Sequence, residues 1–214
     1  MTQADPHASQ PILHAGPTPE RADATLLLVH GRGGDARGML DLYAALDLPR
    51  LAALAPQAAG HTWYPHSFLA KIESNQPYLD SALARLKAVV DDLLARNIPP
   101  ERIALLGFSQ GACLTLEFAA RNPRRYGAIV GLSGGLIGPA GTPRNYPGTF
   151  DGTPVFLGCS DVDGHIPASR VQESAEVFRR FGASVTSILY PGMDHTVTEE
   201  ELVHVRRIVA GVPA

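Results

Sequence analysis

The sequence predicts an α/β protein built on a central, mostly parallel sheet with helices on both faces. Short apolar runs alternate along the chain with longer segments of helical period, and several of those runs are apolar almost throughout, as strands covered on both faces must be. No internal repeat and no long linker interrupts the alternation, which predicts one domain over residues 21–214 behind a polar leader at 1–20. A chain of 214 residues, 45% hydrophobic and 18% charged, is long enough to bury roughly 70% of the surface its unfolded form exposes.

Strands are expected from Thr25 to His30, Leu51 to Ala55, Ile103 to Phe108, Ala128 to Leu132, Pro154 to Cys159 and Val185 to Tyr190, with a further one around Ile12. Between the second and third, Leu79, Ala82, Leu83, Leu86, Val90 and Leu93 recur at helical spacing, while Asp80, Arg85, Asp91 and Arg96 fill the opposite face. Pro99 and Pro100 close that helix. The last helix opens on a capping-box pattern, Thr198 to Glu201, with acids in its first turn and Arg206 and Arg207 near its end, an order that suits the helix dipole.

Composition narrows the function. A formal net charge of −3 offers no basic field for nucleic acid, so a small-molecule partner is expected. No apolar run is long enough for a membrane span, and the start of the chain lacks the pattern of an export signal. Cys113 and Cys159 are too few for a disulfide framework and fit a reducing, cytoplasmic setting.

Two segments match Gly-x-Ser-x-Gly, so context must choose between them. Gly107-Phe108-Ser109-Gln110-Gly111 follows a strand and runs into a helix through Ala112, Leu114 and Phe118. This is the strand–turn–helix elbow of the α/β-hydrolase fold, which pushes a serine hydroxyl out of the sheet. Gly131-Leu132-Ser133-Gly134-Gly135 also follows a strand, but the glycines and prolines beyond it cannot form a helix. Ser109 is therefore the expected nucleophile and Ser133 a loop residue.

An acyl-transfer site also needs two N–H groups aimed at the developing oxyanion. The fold takes one from the residue after the nucleophile, here Gln110, and one from the glycine-rich turn His30-Gly31-Arg32-Gly33-Gly34, where Arg32 is the expected donor. The same turn formally fits a dinucleotide fingerprint. The next strand, however, ends Ala55-Pro56-Gln57 with no acid for a ribose, and no P-loop lysine is present. The fold orders its triad Ser, acid, His. His195 follows the last strand and is the expected base, with His204 inside the final helix as a packing residue. Asp161 and Asp163 share the acid loop, and spacing does not separate them.

These residues together resemble the carboxylesterase/phospholipase family of α/β hydrolases, the group that includes acyl-protein thioesterases. The resemblance spans roughly Leu26 to Val209 and rests on His30-Gly31, the Gly107 to Gly111 elbow, Asp161-Val162-Asp163-Gly164-His165-Ile166-Pro167 and Gly192-Met193-Asp194-His195. In that family the acid lies four residues before the loop proline, which implies Asp163. Arg32 stands where members often carry leucine, and Ser160 where many carry Asp or Gln. The Arg32 side chain is expected either to meet an anionic substrate or, more simply, to pair with a surface acid.

The resemblance implies a serine carboxylesterase acting on a small-molecule ester without a cofactor or metal. The alternatives are a thioesterase or lysophospholipase on the same site, and a non-catalytic hydrolase-fold binding protein. A homodimer is compatible with the sequence. Trp63 and Phe68, in an aromatic loop after the second strand, are expected either to line a substrate pocket or to pack as a satellite core beneath that loop. The stretch from Ser133 to Thr153 is too rich in Gly and Pro for a lid helix, so the site is expected to be open and to favour short esters.

Overall fold

The computed structural model describes residues 5–212. Seven strands form one sheet in the order β1-β3-β2-β4-β5-β6-β7. They are β1 (Ile12–Ala15), β2 (Thr25–Val29), β3 (Ala52–Pro56), β4 (Ile103–Phe108), β5 (Ala128–Leu132), β6 (Pro154–Ser160) and β7 (Ser184–Tyr190). All neighbours are parallel except β1 and β3. The inner strands β2 to β5 are buried along nearly their whole length because helices cover both faces.

The helices are α1 (Ala36–Leu46), α2 (Tyr78–Ala95), α3 (Gln110–Arg121), α4 (Ala168–Arg180) and α5 (Glu199–Ala210). Alternation along the strands divides the core into two layers. Leu27, Leu105, Ile129 and Leu157 join residues of α2, α3 and α4 on one face. Leu28, Leu106, Val130 and Phe156 join residues of α1 and α5 on the other. The capping box at the start of α5 is formed as the sequence predicts: the Glu201 amide donates to the Thr198 hydroxyl at 3.3 Å and the Thr198 amide to Glu201 Oε2 at 2.9 Å.

Within the described part of the stretch expected as a polar leader, residues 5–20, His7 and β1 are part of the domain. Ile12 and Leu13 of β1 point to opposite faces and join the two core layers, and His7 is fully buried. Polar composition hides this because the burial rests on one imidazole and a four-residue strand. Among the described residues no helix is long and apolar enough to cross a membrane. No helix forms between β5 and β6. That segment is instead pinned by two buried arginines: Arg170 donates to the carbonyls of Leu136 and Gly138 at 2.8 and 2.6 Å, and Arg144 to that of Ile137 at 2.6 Å.

Parallel register brings the carboxyl ends of β2, β4, β6 and β7 to one edge, with Val29 beside Gly107 and Ser160 beside Tyr190. Ligand sites of open parallel sheets form at that edge.

Candidate active site

The turn from β4 into α3 holds Ser109 at φ 55° and ψ −120°. A non-glycine residue at positive φ stores about 1–3 kcal/mol of strain, which the surroundings must hold in place. Here the Ser109 amide donates to Leu132 O at 2.9 Å, and both flanking glycines are required. A Cβ on Gly107 would fall 2.3 Å from Gly111 O, and one on Gly111 would fall 2.1 Å from Val29 O. The hydroxyl of Ser109 stands 2.8 Å from His195 Nε2, and His195 Nδ1 stands 2.7 Å from Asp163 Oδ2. Three residues from three separate loops thus form one hydrogen-bonded chain.

Geometry separates the two aspartates that spacing leaves open. Asp163 turns Oδ2 to the imidazole while Oδ1 accepts from the amides of His165 and Ile166 at 2.8 and 3.0 Å. Burial alone would raise its pKa, but the hydrogen bonds from His195 and the two amides outweigh it and hold the carboxyl below its ordinary value. Asp161 instead accepts from the Gly192 amide at 2.8 Å, tying down the loop that carries His195. The His195 ring packs on Phe108 at 5.2 Å and meets the edge of His165 at 4.8 Å, contacts that leave little freedom in its tilt.

The Gln110 amide opens α3 and has no helical acceptor. In the glycine-rich turn, Gly33 N–H donates to His61 O and Gly34 N–H to Gly31 O, at 2.8 and 3.1 Å. The Arg32 amide is left without a protein acceptor among the described residues. A cavity of about 400 Å³ opens here, lined by Ser109, Gln110, His195 and Arg32 together with Phe68, Cys113, His165 and Ile166. A second cavity of about 240 Å³ lies beyond Gly31 and Phe108, against Met39, Leu42 and Val197.

Two expectations are corrected. Phe68 lines the larger cavity but Trp63 does not. The indole is fully buried, donates from Nε1 to His30 O at 2.8 Å, and is flanked by the rings of His7 and His30 at 5.3 and 5.1 Å. Among the described residues the Arg32 guanidinium pairs with no acid; it donates to the carbonyls of Tyr64, Pro65 and His66 at 2.9, 3.0 and 2.9 Å. Ser133 lies outside the cavity, its hydroxyl buried without a partner among the described residues. His204 stacks on Phe156.

Sequence reasoning missed the support under this site. His7 Nδ1 accepts from the Ala59 amide at 3.1 Å, so its Nε2–H donates to Trp63 O at 3.0 Å. His30 Nε2 accepts from the Ala58 amide at 3.0 Å, so its Nδ1–H donates to Gly31 O at 2.7 Å. Burial lowers the pKa of both, and each neutral ring uses both nitrogens. The signal available was a buried-type aromatic loop with two nearby histidines; nothing in spacing joins His7 to it.

Comparison with known proteins places the chain. The family model described as phospholipase/carboxylesterase matches residues 16–211. A phospholipase/carboxylesterase from Dyadobacter fermentans DSM 18053, of known structure, is 44% identical with a TM-score of 0.91, covering 94% of this chain and 97% of its own. A probable carboxylesterase of Oryza sativa subsp. japonica is 32% identical over 136 residues, 61% of this chain and 51% of that protein. Acyl-protein thioesterase 1 of Saccharomyces cerevisiae is 30% identical over 125 residues, 57% and 55% of the two chains. The chain spans about half the length of the curated relatives it matches. The match across residues 16–211, together with the shared fold, means that the chain belongs to the phospholipase/carboxylesterase family.

Proposed function

We propose that the chain is a serine carboxylesterase that hydrolyses short-chain carboxylic esters through an acyl-enzyme. The observation that carries this reading is the Ser109–His195–Asp163 hydrogen-bonded chain, whose Ser109 and His195 line one cavity with Arg32 and Gln110. Ser109 Oγ attacks the ester carbonyl while His195 Nε2 takes its proton. The carbonyl oxygen, now negative, is held by the amides of Arg32 and Gln110. As the intermediate collapses, the C–O bond to the alcohol breaks and His195 returns the proton to the leaving oxygen. Water then attacks the acyl-enzyme by the same route, its proton passing to His195 and on to Ser109. Asp163 keeps the Nδ1–H tautomer and offsets the charge of the imidazolium. No cofactor enters these steps.

Size sets the substrate class. The cavity holds about 400 Å³ with Phe68 and Ile166 in its wall, and the pinned segment between β5 and β6 supplies no lid helix. A short acyl group fits that volume without needing a long apolar channel, in which each further methylene would gain about 0.8 kcal/mol. Acetyl to butyryl esters should be turned over best, without a jump in rate above the solubility limit. Thioester hydrolysis is the second reading, favoured by the thioesterase relatives. The two buried free thiols suit a reducing, cytoplasmic setting.

The test is direct. An organophosphorus probe should label Ser109, Ser109→Ala should abolish hydrolysis of p-nitrophenyl acetate, and Ser133→Ala should retain most of it. Matched oxygen and sulfur esters across acyl lengths rank the two readings. Neither labelling nor turnover would leave a binding scaffold instead.

A further inference from the structure

Arg32 and Gln110 enter the site by their backbone amides, yet both carry long polar side chains that the reaction does not use. Both side chains turn to the same loop. Gln110 Nε2–H donates to Tyr64 O at 2.8 Å, and its Oε1 accepts from the Trp63 amide at 2.9 Å. Arg32 Nη2 donates to that same Tyr64 carbonyl at 2.9 Å, with further bonds to Pro65 O and His66 O. The Tyr64 carbonyl oxygen accepts its two shortest bonds from these two side chains, with the Thr62 hydroxyl a third donor at 3.2 Å.

The geometry points to a clamp: the Arg32 and Gln110 side chains, meeting on the Tyr64 carbonyl, fix the separation of the two amides that would hold the oxyanion. This deepens the esterase reading and rests on it. Between Gly31 and Gly34, Arg32 is the one residue with a side chain. The run therefore gains close approach to Ser109, where a Gly31 Cβ would sit 3.2 Å from the serine Cβ, at the cost of a backbone with few anchors. Arg32 supplies the anchor for its own amide. The loop it grips is anchored on the far side, because Trp63 is buried between His7 and His30 and donates to His30 O. A planar guanidinium can hold three carbonyls in a fixed fork; a lysine ammonium cannot. Oxyanion donors help only if they are in place before charge develops, and this bridge sets that placement from both ends. Arg32 and Gln110 are thus positioning residues through their side chains.

The experiment compares Arg32→Met, Arg32→Lys, Gln110→Met and the Arg32→Met/Gln110→Met double variant on p-nitrophenyl butyrate, with thermal midpoints measured alongside. Arg32→Met should lower kcat about tenfold or more, short of the ~10²–10³-fold that loss of a whole donor costs, with KM nearly unchanged. Phenylboronic acid, whose tetrahedral adduct on Ser109 places an oxygen in the hole, should weaken as an inhibitor by the same factor. Arg32→Lys should recover part of the loss. The double variant should lose less than the product of the single losses, because both act through one carbonyl. An unchanged kcat and boronate affinity in Arg32→Met, or single losses that multiply, would overturn the clamp. So would an effect confined to KM for a carboxylate-bearing ester such as mono-p-nitrophenyl succinate, which would make Arg32 an anion receptor. A parent protein that neither turns over esters nor binds the boronate would instead bring down the esterase reading, and the clamp with it.

Discussion

Replacing Asp163 with asparagine tests the base without disturbing the fold. Asparagine keeps an oxygen where Oδ1 accepts the His165 and Ile166 amides, at 2.8 and 3.0 Å, so the loop stays pinned. Its amide nitrogen then stands where Oδ2 faced His195 Nδ1 at 2.7 Å. Two donors cannot share that distance, so the imidazole moves its hydrogen to Nε2. Nε2 is the atom 2.8 Å from Ser109 Oγ, and once protonated it cannot accept the serine's proton. A wrong-tautomer lesion of this kind costs roughly 10⁴ in turnover, the remainder surviving on the oxyanion donors and binding. Steady-state hydrolysis of p-nitrophenyl butyrate measures it, with Asp161→Asn as control, since the Asp161 carboxylate accepts from the Gly192 amide and not from His195. Stability should change by no more than the roughly 1.5–3 kcal/mol of one charge-assisted hydrogen bond. Because the folded-state pKa of Asp163 lies below its ordinary value, that contribution is present above the ordinary carboxylate range. It disappears as the pH falls through the folded value. A loss within tenfold in Asp163→Asn, or a larger loss in Asp161→Asn, would refute the assignment.

Two further outcomes concern stability. Gly111→Ala would place a Cβ 2.1 Å from Val29 O and 2.4 Å from His30 O, both backbone atoms that cannot swing aside. Urea unfolding should show a cost at or above the upper end of the ~1–3 kcal/mol range for overpacking, and a cost under 1 kcal/mol would mean that β2 and α3 are less tightly apposed than described. His7 and His30 are held neutral by burial, so the unfolded chain binds protons that the fold refuses as the pH drops below about 6.5. Each should steepen the acid loss of stability by up to about 1.4 kcal/mol per pH unit between its unfolded and folded values. His7→Gln should show a shallower slope in denaturant titrations at successive pH, and an unaltered slope would place the sensitivity elsewhere.

What the sequence made legible is what burial and backbone geometry force on composition. Strands covered on both faces had to be apolar, so β2 to β6 could be read within a residue; β7 was read as closely although only its last residue, Tyr190, is buried. The elbow at Ser109 could be told from its rival at Ser133 because a helix must follow one and glycine forbids it after the other. The loop from Gln57 to Phe68 was opaque for the opposite reason. Its partners are carbonyls and amides, as with Arg32 on Tyr64, Pro65 and His66, and a main-chain acceptor leaves no residue-type signature. His7 was hidden likewise, since its contacts lie more than fifty residues away.

The hydrogen-bonded chain at Ser109 also bears on how the molecule assembles. The bond from His195 to Ser109 joins residues 86 apart, and the bond from His195 to Asp163 joins residues 32 apart. β7, which delivers His195, is the outermost strand and is paired on one side only. As an edge strand it can dock after the ladders joining β2, β4, β5 and β6 have formed. A refolding chain can therefore hold a formed elbow and both amides while lacking its base. Under the proposed mechanism, recovery of hydrolysis would time the docking of β7, and probes of Leu105 and Ile129 would time the core. In the native state, fraying confined to β7 would silence the site while the central sheet stays intact.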